Sequence, residues 1–307
     1  MAVVAAVQDP ADLPFGLQLP DRAVELFQVG RCAAGAGQSE VRHAAGAGFP
    51  GGGTPATPAV QARALPPDAP FQPGARVYYY RELDDETVIP FEEVVVFRDA
   101  HLLVVDKPHF LPVTPGGRYV RQSLLVRLKQ RLDLPDLSPI HRIDRETAGL
   151  VVFSLRPQDR DAYQALFRDR AVHEVYEAIA ARDEAVGGAV LRRSPIVEEA
   201  GEFFRMTEAP GEANSETRIE RLEARGAWAR YRLAPLTGRR HQLRVHMNAL
   251  GLPIAGDQFY PRVLRGPDEA EDFLNPLRLL AKAIAFTDPV TGEARAFESP
   301  RALDWPS

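Results

Sequence analysis

Cysteine is almost absent from this chain of 307 residues, since Cys32 is the only one. One cysteine excludes an internal disulfide framework and any zinc site built on cysteines. Long apolar runs are missing too, because none approaches the ~18 residues that span a membrane. The N-terminal residues MAVVAAVQDP lack the basic start and the length of a signal peptide. These absences predict a cytoplasmic protein without membrane partners.

Basic residues are also fewer than acidic ones. The chain has 37 Lys and Arg and 42 Asp and Glu, which gives a net charge of −5. This balance argues against a generic nucleic-acid binder. The basic residues are clustered, however. Residues 118–170 carry eleven Lys or Arg and seven Asp or Glu, and the segment TGRRHQLRVHM at 237–247 has three Arg, two His and no acid. These basic clusters are consistent with binding of an anionic partner.

Three regions of different composition divide the chain. Residues 1–63 are rich in Gly, Ala and Pro, with little amphipathic periodicity. Such a segment buries too little apolar surface to offset chain entropy, so we expect disorder or a non-native extension there. Residues 64–89 contain turn signals and an aromatic, β-branched run, which predicts a strand at 76–80. Residues 90–307 form the main domain.

The main domain alternates strand-like and helix-like segments. Alternating apolar residues and β-branched runs predict strands, while apolar residues three and four apart predict helices. The predicted strands are 94–97, 101–106, 150–155, 172–180, 217–224, 227–236 and 279–286, and the predicted helices are 123–132, 157–167 and 241–250. A Gly- and Glu-rich connection follows residue 180. Interleaved strands and short helices with hairpin connections predict an α+β fold around a mixed sheet.

Three segments carry residues suited to chemistry: HRIDRETAGL at 141–150, AVHEVYEAI at 171–179 and LTGRRHQLRVHMNALGLPIAGD at 236–257. In the first, a charged run borders a glycine and an apolar strand, as in a loop that delivers one carboxylate to a sheet edge. Taken one at a time, the residues also have ordinary explanations. Asp144 can serve a turn, Arg244 can face solvent from a helix, and Tyr176 can be a core aromatic. His246 is more typical of a packing residue than of a ligand.

Together the three segments resemble the RluA-type pseudouridine synthases, which act on large-subunit rRNA and tRNA. HRIDRETAGLVVFS at 141–154 resembles the family's H-R-L-D-x-x-T-S-G-L signature, and RAVHEVYEAIA at 170–180 resembles its R-x-V-x-K-x-Y strand. PLTGRRHQLRVH at 235–246, followed by GLPIAGD at 251–257, is similar to its third motif. The similarity extends from about Leu65 to Phe297. It implies the pseudouridine synthase catalytic fold, a mixed and mostly antiparallel sheet flanked by helices and loops.

The resemblance assigns roles to single residues. Asp144 matches the catalytic aspartate, which must be ionised in a water-poor pocket, and Arg244 matches the arginine that would keep it charged. Arg142 matches the family residue that is expected to fill the gap left by a flipped-out uridine. Tyr176 matches the tyrosine that stacks on the uracil. Further candidates for contact with RNA are His141, Thr147, Arg239, Arg240 and His241. The resemblance implies no metal and no organic cofactor.

The chain departs from the family pattern at several positions. Glu174 stands where the family strand usually has Lys, and Leu280 stands where a His is usual. Many members carry an N-terminal S4-type RNA-binding domain, of which residues 64–89 resemble only a remnant strand and linker. The implied partner is structured RNA, which is rRNA, tRNA or both, with no role for DNA. The sequence does not determine the oligomeric state, and a monomer is the default expectation. The sequence leaves open which uridine is modified and whether Asp144 attacks the sugar or deprotonates it.

Two other classes of function remain open on the residues alone. A metal-dependent hydrolase could use His141, Asp144, His241 and His246 as ligands. Five positions along a helix, however, turn His241 and His246 about 140° apart around the axis. A non-catalytic RNA-binding module would need the basic clusters but no ionised carboxylate beside the RNA phosphates.

Overall fold

The computed structural model describes residues 4–7, 25–28, 63–64, 76–81, 86–184, 186, 188–264, 269 and 272–306. The chain forms two compact units, of which the first takes in residues 1–87 and 115–121. Four strands of this unit pair antiparallel in the order β2-β4-β1-β3, and they are β1 (Val4–Val7), β2 (Glu25–Gln28), β3 (Arg63–Ala64) and β4 (Arg76–Arg81). Strand β4 confirms the strand predicted at 76–80. The prediction of disorder for residues 1–63 falls mostly outside the described residues and stays a prediction.

The second unit, residues 88–114 and 122–307, is built on one large sheet. Its strands are β5 (Val94–Arg98), β6 (Leu102–Lys107), β7 (Ser138–Pro139), β8 (Ala148–Ser154), β9 (His173–Ala181), β10 (Val190–Ser194), β11 (Ile196–Glu199), β12 (Glu202–Glu208), β13 (Ser215–Arg225), β14 (Trp228–Pro235), β15 (Leu279–Thr287) and β16 (Ala294–Glu298). Its helices are α1 (Leu124–Leu132), α2 (Arg160–Arg168) and α3 (Gln242–Ala249), with a 3₁₀ turn at Pro157–Asp159 before α2. Among the described residues, no helix is long and apolar enough to cross a membrane.

The large sheet has ten strands and runs β10-β13-β14-β9-β15-β8-β6-β5, with β16 beside β15 and β7 beside β8. Every pair of neighbours is antiparallel except β8 and β15, which are parallel. Strands β11 and β12 form a separate hairpin. This mixed, mostly antiparallel sheet with flanking helices confirms the predicted α+β fold.

All ten elements predicted in the main domain are present, with ends displaced by at most three residues. Strands β7, β10, β11, β12 and β16 were not predicted. Three of these lie in the Gly- and Glu-rich connection, whose local pattern shows no clear period. Long-range packing holds β11 and β12 instead, because Ile196 and Met206 lie in one buried cluster with Val245 of α3 and Tyr260.

Two apolar clusters pack against the central strands. Tyr163 of α2 lies in a cluster with Leu102 of β6, Val152 of β8 and Ile284 of β15. Met247 of α3 lies in another, with Tyr176 of β9 among its members. Strand β8 is buried along its whole length, as expected for a strand covered on both faces. It therefore gives the charged segment that precedes it a rigid end point.

Gly149 explains the border between the charged run and the apolar strand. It pairs with Lys107 of β6 on one side and with Ala281 of β15 on the other. Its φ of +112° lies in a region that side chains rarely adopt. A Cβ atom at this position would lie 2.3 Å from the carbonyl oxygen of Ala281. Only glycine lets the charged loop enter the sheet so close to β15.

We expect Gly149→Ala to lower the free energy of unfolding by more than about 3 kcal/mol, because both the positive φ and the contact with Ala281 must be relieved. Gly226→Ala is the matched control, since Gly226 also has a positive φ of +61° but faces open space. It should cost only about 1 kcal/mol. Urea unfolding of the two variants measures the difference, and equal losses would contradict the packing argument.

Candidate active site

The loop before β8 is held in place from the end of β6. Lys107 is fully buried, and its Nζ donates hydrogen bonds to the carbonyl oxygens of Arg145 at 3.0 Å and Pro108 at 3.1 Å. The ring of His109 makes a 2.7 Å hydrogen bond with the carbonyl oxygen of Glu146. The amide of Thr147 donates to the carbonyl oxygen of Asp144 at 3.1 Å and closes a turn. The backbone around Asp144 is thereby fixed before any ligand binds.

Asp144 meets the guanidinium of Arg244, which projects from α3 and is only 1% exposed. The Nη1 atom of Arg244 donates to Oδ2 of Asp144 at 3.2 Å. Its other two nitrogens bind Asp257, with Nε donating to Oδ2 at 2.8 Å and Nη2 donating to Oδ1 at 2.7 Å. The two-point bond fixes the plane of the guanidinium. The remaining nitrogen is thus aimed at Asp144.

Asp257 is itself oriented by the turn in which it lies. Its Oδ1 atom accepts hydrogen bonds from the backbone amides of Phe259 at 2.9 Å and Tyr260 at 3.2 Å. Gly256 before it has a φ of +77°, and a Cβ there would lie 2.2 Å from the carbonyl oxygen of Pro276. The rings of Phe259 and Tyr260 lie 5.1 and 5.4 Å from the Arg244 guanidinium carbon, within the range of cation–π attraction.

The charges around Asp144 favour its ionised form. Burial raises the pKa of Asp144, but the nearby His241 and Arg244 outweigh this effect, so the pKa lies below its ordinary value. Burial lowers the pKa of His241, against the attraction of Asp144. At neutral pH the lasting positive charge beside Asp144 is therefore Arg244. The side chain of Asp144 is still 26% exposed, so a charged carboxylate is within reach of a ligand.

His241 begins the third motif's helix in a left-handed backbone conformation, with φ at +55°. Its Nδ1 shares a 3.1 Å hydrogen bond with the hydroxyl of Tyr260, and its Nε2 lies 4.0 Å from Oδ2 of Asp144. The ring is stacked on Phe259 at a centroid distance of 5.9 Å. His241 therefore lines the site beside the carboxylate, as a neutral ring at neutral pH.

Tyr176 reaches the same region from β9. It pairs across the ladder with Ala281, the residue that also pairs with Gly149. The ring is 9% exposed, and its hydroxyl donates to Oε1 of Glu174 at 3.0 Å. Burial, followed by the charge of Glu174, raises the pKa of Tyr176 well above 10, and the charge of Asp144 adds to the effect. The phenol therefore stays protonated.

The other predicted residues divide into exposed and inward-facing groups. Arg142, Arg239 and Arg240 are exposed. His141 is turned inward, where its Nε2 accepts from the amide of Val152 at 3.1 Å and burial lowers its pKa to about 4. Thr147 is buried as well. The three arginines are exposed, so an anionic ligand can reach them. Contact of all five residues with RNA stays a prediction.

The four residues considered for a metal site do not converge. His246 is fully buried, and its ring makes hydrogen bonds of 2.9 Å to Ser215 and to Thr217. It is a packing residue, as its sequence context favoured. Within the described ranges, no group of three His, Cys, Asp or Glu side chains is arranged to hold a metal ion.

Three residues of the site had no role assigned to them from the sequence. Asp257 lies in the Gly-Asp pair of the third motif, so the signal was present without a role attached. Lys107 ends β6 just before Pro108, and a lysine at the end of a strand is typical of a solvent-exposed residue. The acceptor role of Glu174 depends on strand geometry, which places it two residues from Tyr176 on the same face.

Comparisons with known proteins place the chain among enzymes of one family. The sequence model of the family described as RNA pseudouridylate synthase matches residues 101–249. The chain is 32% identical to ribosomal large subunit pseudouridine synthase D of Haemophilus influenzae, over 76% of this chain and 75% of that protein. It is 33% identical to the dual-specificity RNA pseudouridine synthase RluA of Vibrio vulnificus, over 65% and 79%. The solved structure of human RNA pseudouridylate synthase domain containing 4 matches with a TM-score of 0.53 and 26% identity, over 67% of this chain and 88% of that one.

We expect Arg244→Leu to lower the free energy of unfolding by about 3–5 kcal/mol, because it leaves the Asp257 carboxylate buried without its cation. Arg240→Leu, an exposed change on the same motif, should stay within about 0.5 kcal/mol. The double variant Arg244→Leu/Asp257→Leu should recover part of the loss. Urea unfolding at neutral pH measures all three, and a double variant no more stable than Arg244→Leu would contradict the assignment of the loss to an unpaired carboxylate.

Proposed function

The chain belongs to the RNA pseudouridylate synthase family, and we propose that Asp144 is the carboxylate with which it isomerises uridine to pseudouridine. The protein is an RNA pseudouridine synthase, and its substrates are rRNA, tRNA or both. The supporting relatives are named for activity on the ribosomal large subunit and for dual specificity. We further propose that it acts in the cytoplasm as a monomer and does not act on DNA.

One observation carries the role of Asp144. The carboxylate accepts a 3.2 Å hydrogen bond from a guanidinium that Asp257 already holds at two points. A buried carboxylate stays ionised only if an opposite charge offsets its lost hydration. Arg244 supplies that charge while part of Asp144 remains exposed. The arrangement supports a carboxylate that is charged and accessible at neutral pH.

The reaction breaks the bond between N1 of uracil and C1′ of the ribose and forms a bond between C5 and C1′. An ionised Asp144 can attack C1′ as a nucleophile, or it can remove a proton from the sugar while the base is detached. Both routes need the charge that Arg244 stabilises. Tyr176, buried and protonated, would lie against the uracil ring and limit its movement while the base is detached.

A uridine inside a stacked RNA must leave the stack before Asp144 can reach it. We propose that Arg142 fills the gap, because its exposed guanidinium lies two residues before the catalytic carboxylate and is planar enough to stack on bases. Arg239 and Arg240 would bind phosphates nearby, which makes the affinity for RNA fall with salt. These contacts explain how an acidic chain can bind RNA locally.

The protein's own side chains supply every group in this scheme, so we propose that neither a metal nor an organic cofactor takes part. The chemistry needs a charged carboxylate, a cation to hold it and an aromatic ring, and Asp144, Arg244 and Tyr176 provide them. A chelator should leave the rate unchanged if RNA folding is maintained.

We expect Asp144→Asn to lower pseudouridine formation by about a thousandfold or more, because an amide can neither attack C1′ nor accept a sugar proton. The assay is conversion of uridine in total rRNA and tRNA transcripts with chelator present, mapped by chemical labelling and primer extension. Asp169→Asn, an exposed change of the same kind, is the control. Conversion that survives in Asp144→Asn would overturn the role of Asp144.

The same variant separates an enzyme from an RNA-binding module. Removing a negative charge near phosphates should leave the affinity for RNA unchanged or stronger. An enzyme loses its chemistry at the same time. Binding without any conversion by the unaltered protein would favour the module.

We expect Arg142→Ala to slow conversion of a uridine within a stacked RNA more than conversion of the same uridine in an unstructured strand, because only the former leaves a gap to fill. Arg142→Lys should rescue little, since the ammonium group is not planar. Arg168→Ala, an exposed change on α2, serves as control. Single-turnover rates of conversion on the two RNAs measure this difference. An equal loss of rate on both RNAs would contradict gap filling by Arg142.

A further inference from the structure

Glu174 has a place in the site that the scheme above leaves without a role. It lies two residues before Tyr176 on β9, so both side chains project from one face of the strand. Its Oε1 accepts the hydrogen bond of the Tyr176 hydroxyl at 3.0 Å. The family pattern usually has a lysine at this position, which donates hydrogen bonds and cannot accept one while charged.

The surroundings of Glu174 contain little to neutralise it. In the part of the chain that the structure describes, no Lys or Arg forms an ion pair with it. The residue opposite on β15 is Ile284, and the titratable neighbour on its own strand is Tyr176. From the loop before β8, the charge of Asp144 acts on the Tyr176 hydroxyl. Burial raises the pKa of Glu174, and the hydrogen bond from Tyr176 opposes the rise only in part.

The isomerisation creates a proton that needs an acceptor. Once C5 of the uracil is joined to C1′, this carbon carries both the sugar and its original hydrogen. The hydrogen must leave as a proton so that its bonding electrons restore the C5–C6 double bond. The N1 atom, which has lost the sugar, ends the reaction with a proton. Asp144 is engaged at the sugar, so a second group at the base would make the transfer faster.

We propose that Glu174, acting through the Tyr176 hydroxyl, takes up the C5 proton of the rearranged uracil. The inference rests on the proposed function of the same site. The phenol oxygen accepts the proton from C5 while its own proton passes to Oε1 of Glu174. Glu174 becomes a neutral acid, the phenol is restored, and the C–H electron pair becomes the C5–C6 double bond. The proton then returns through the phenol or solvent, and N1 gains one proton, so no oxidant or co-reactant is needed.

Glu174 is a positioning residue in this scheme, because it reaches the substrate only through Tyr176. A structural role alone would orient the ring without accepting a proton. Glutamine keeps an acceptor oxygen for the phenol but has no carboxylate to protonate. Glu174→Gln therefore separates orientation from proton acceptance. Glu177→Gln is the matched control, since Glu177 is on the same strand and forms an ion pair with Arg230 instead.

The test compares RNA that carries either hydrogen or deuterium at C5 of the target uridine. We expect Glu174→Gln to lower the single-turnover rate by about a hundredfold and to show a primary deuterium isotope effect that the unaltered protein and Glu177→Gln lack. Tyr176→Phe should show the same effect, and the double variant should be no slower than Tyr176→Phe alone. A rate loss in Glu174→Gln without an isotope effect would overturn the proposal.

A pH profile gives an independent readout. The carboxylate accepts a proton only when ionised, so the rate of the unaltered protein should fall as the pH drops through the pKa of Glu174, which burial places above its ordinary 4.5. In Glu174→Gln this acidic limb should vanish, leaving the limb of Asp144 at lower pH. An unchanged profile would contradict the relay. If the unaltered protein converts no uridine, the proposed function itself fails, and the two failures are thereby told apart.

Discussion

The Arg244 guanidinium, bound at two points by Asp257 and at its third nitrogen by Asp144, is the interaction on which the site depends. Removing a guanidinium and a carboxylate from water costs several kcal/mol for each ion, and only a close, well-aligned pair offsets that cost. Asp257 provides such a pair, and its own orientation is fixed by the amides of Phe259 and Tyr260. The Arg244 guanidinium is therefore fixed in position before a substrate binds. In the proposed reaction the positive charge beside Asp144 would need no reorganisation, which is the condition for effective electrostatic stabilisation.

Several backbone features serve this interaction. Gly256 allows the turn that presents Asp257, and Gly149 allows the Asp144 loop to enter the sheet against β15. Lys107 holds the same loop through a hydrogen bond to the carbonyl oxygen of Arg145, although burial lowers its pKa to about 7. The negative charges of Glu146 and Asp144 raise the pKa of Lys107 and so oppose part of the effect of burial. The loop is therefore positioned by groups to which the proposed mechanism assigns no chemical step.

The sequence predicted the sheet, the three helices of the main domain and the partnership of Asp144 with Arg244, the last through family resemblance. It could not show that Arg244 is buried. Periodicity treats a charged residue on a short helix as solvent-facing, yet six consecutive residues of α3 are buried. The polar ones are satisfied by distant partners, such as Thr217 for His246 and Asp257 for Arg244. Such partners lie on other elements, so no local pattern encodes them. Strands β11 and β12 escaped prediction for the same reason.

Asp144 and Glu174, two carboxylates of the site, have opposite environments. Asp144 lies beside a permanent cation, which holds its pKa low. Glu174 lies beside a phenol and an isoleucine, and burial raises its pKa. Environments that push the pKa values of two acids apart suit them to different tasks, one staying charged throughout and the other gaining and losing a proton. Isomerisation at a base has both tasks, because the sugar bond requires a lasting anion or base and C5 must release a proton. A lysine at position 174 would remove this division, so under the proposed relay the glutamate would change the chemistry available to Tyr176 as well as its packing.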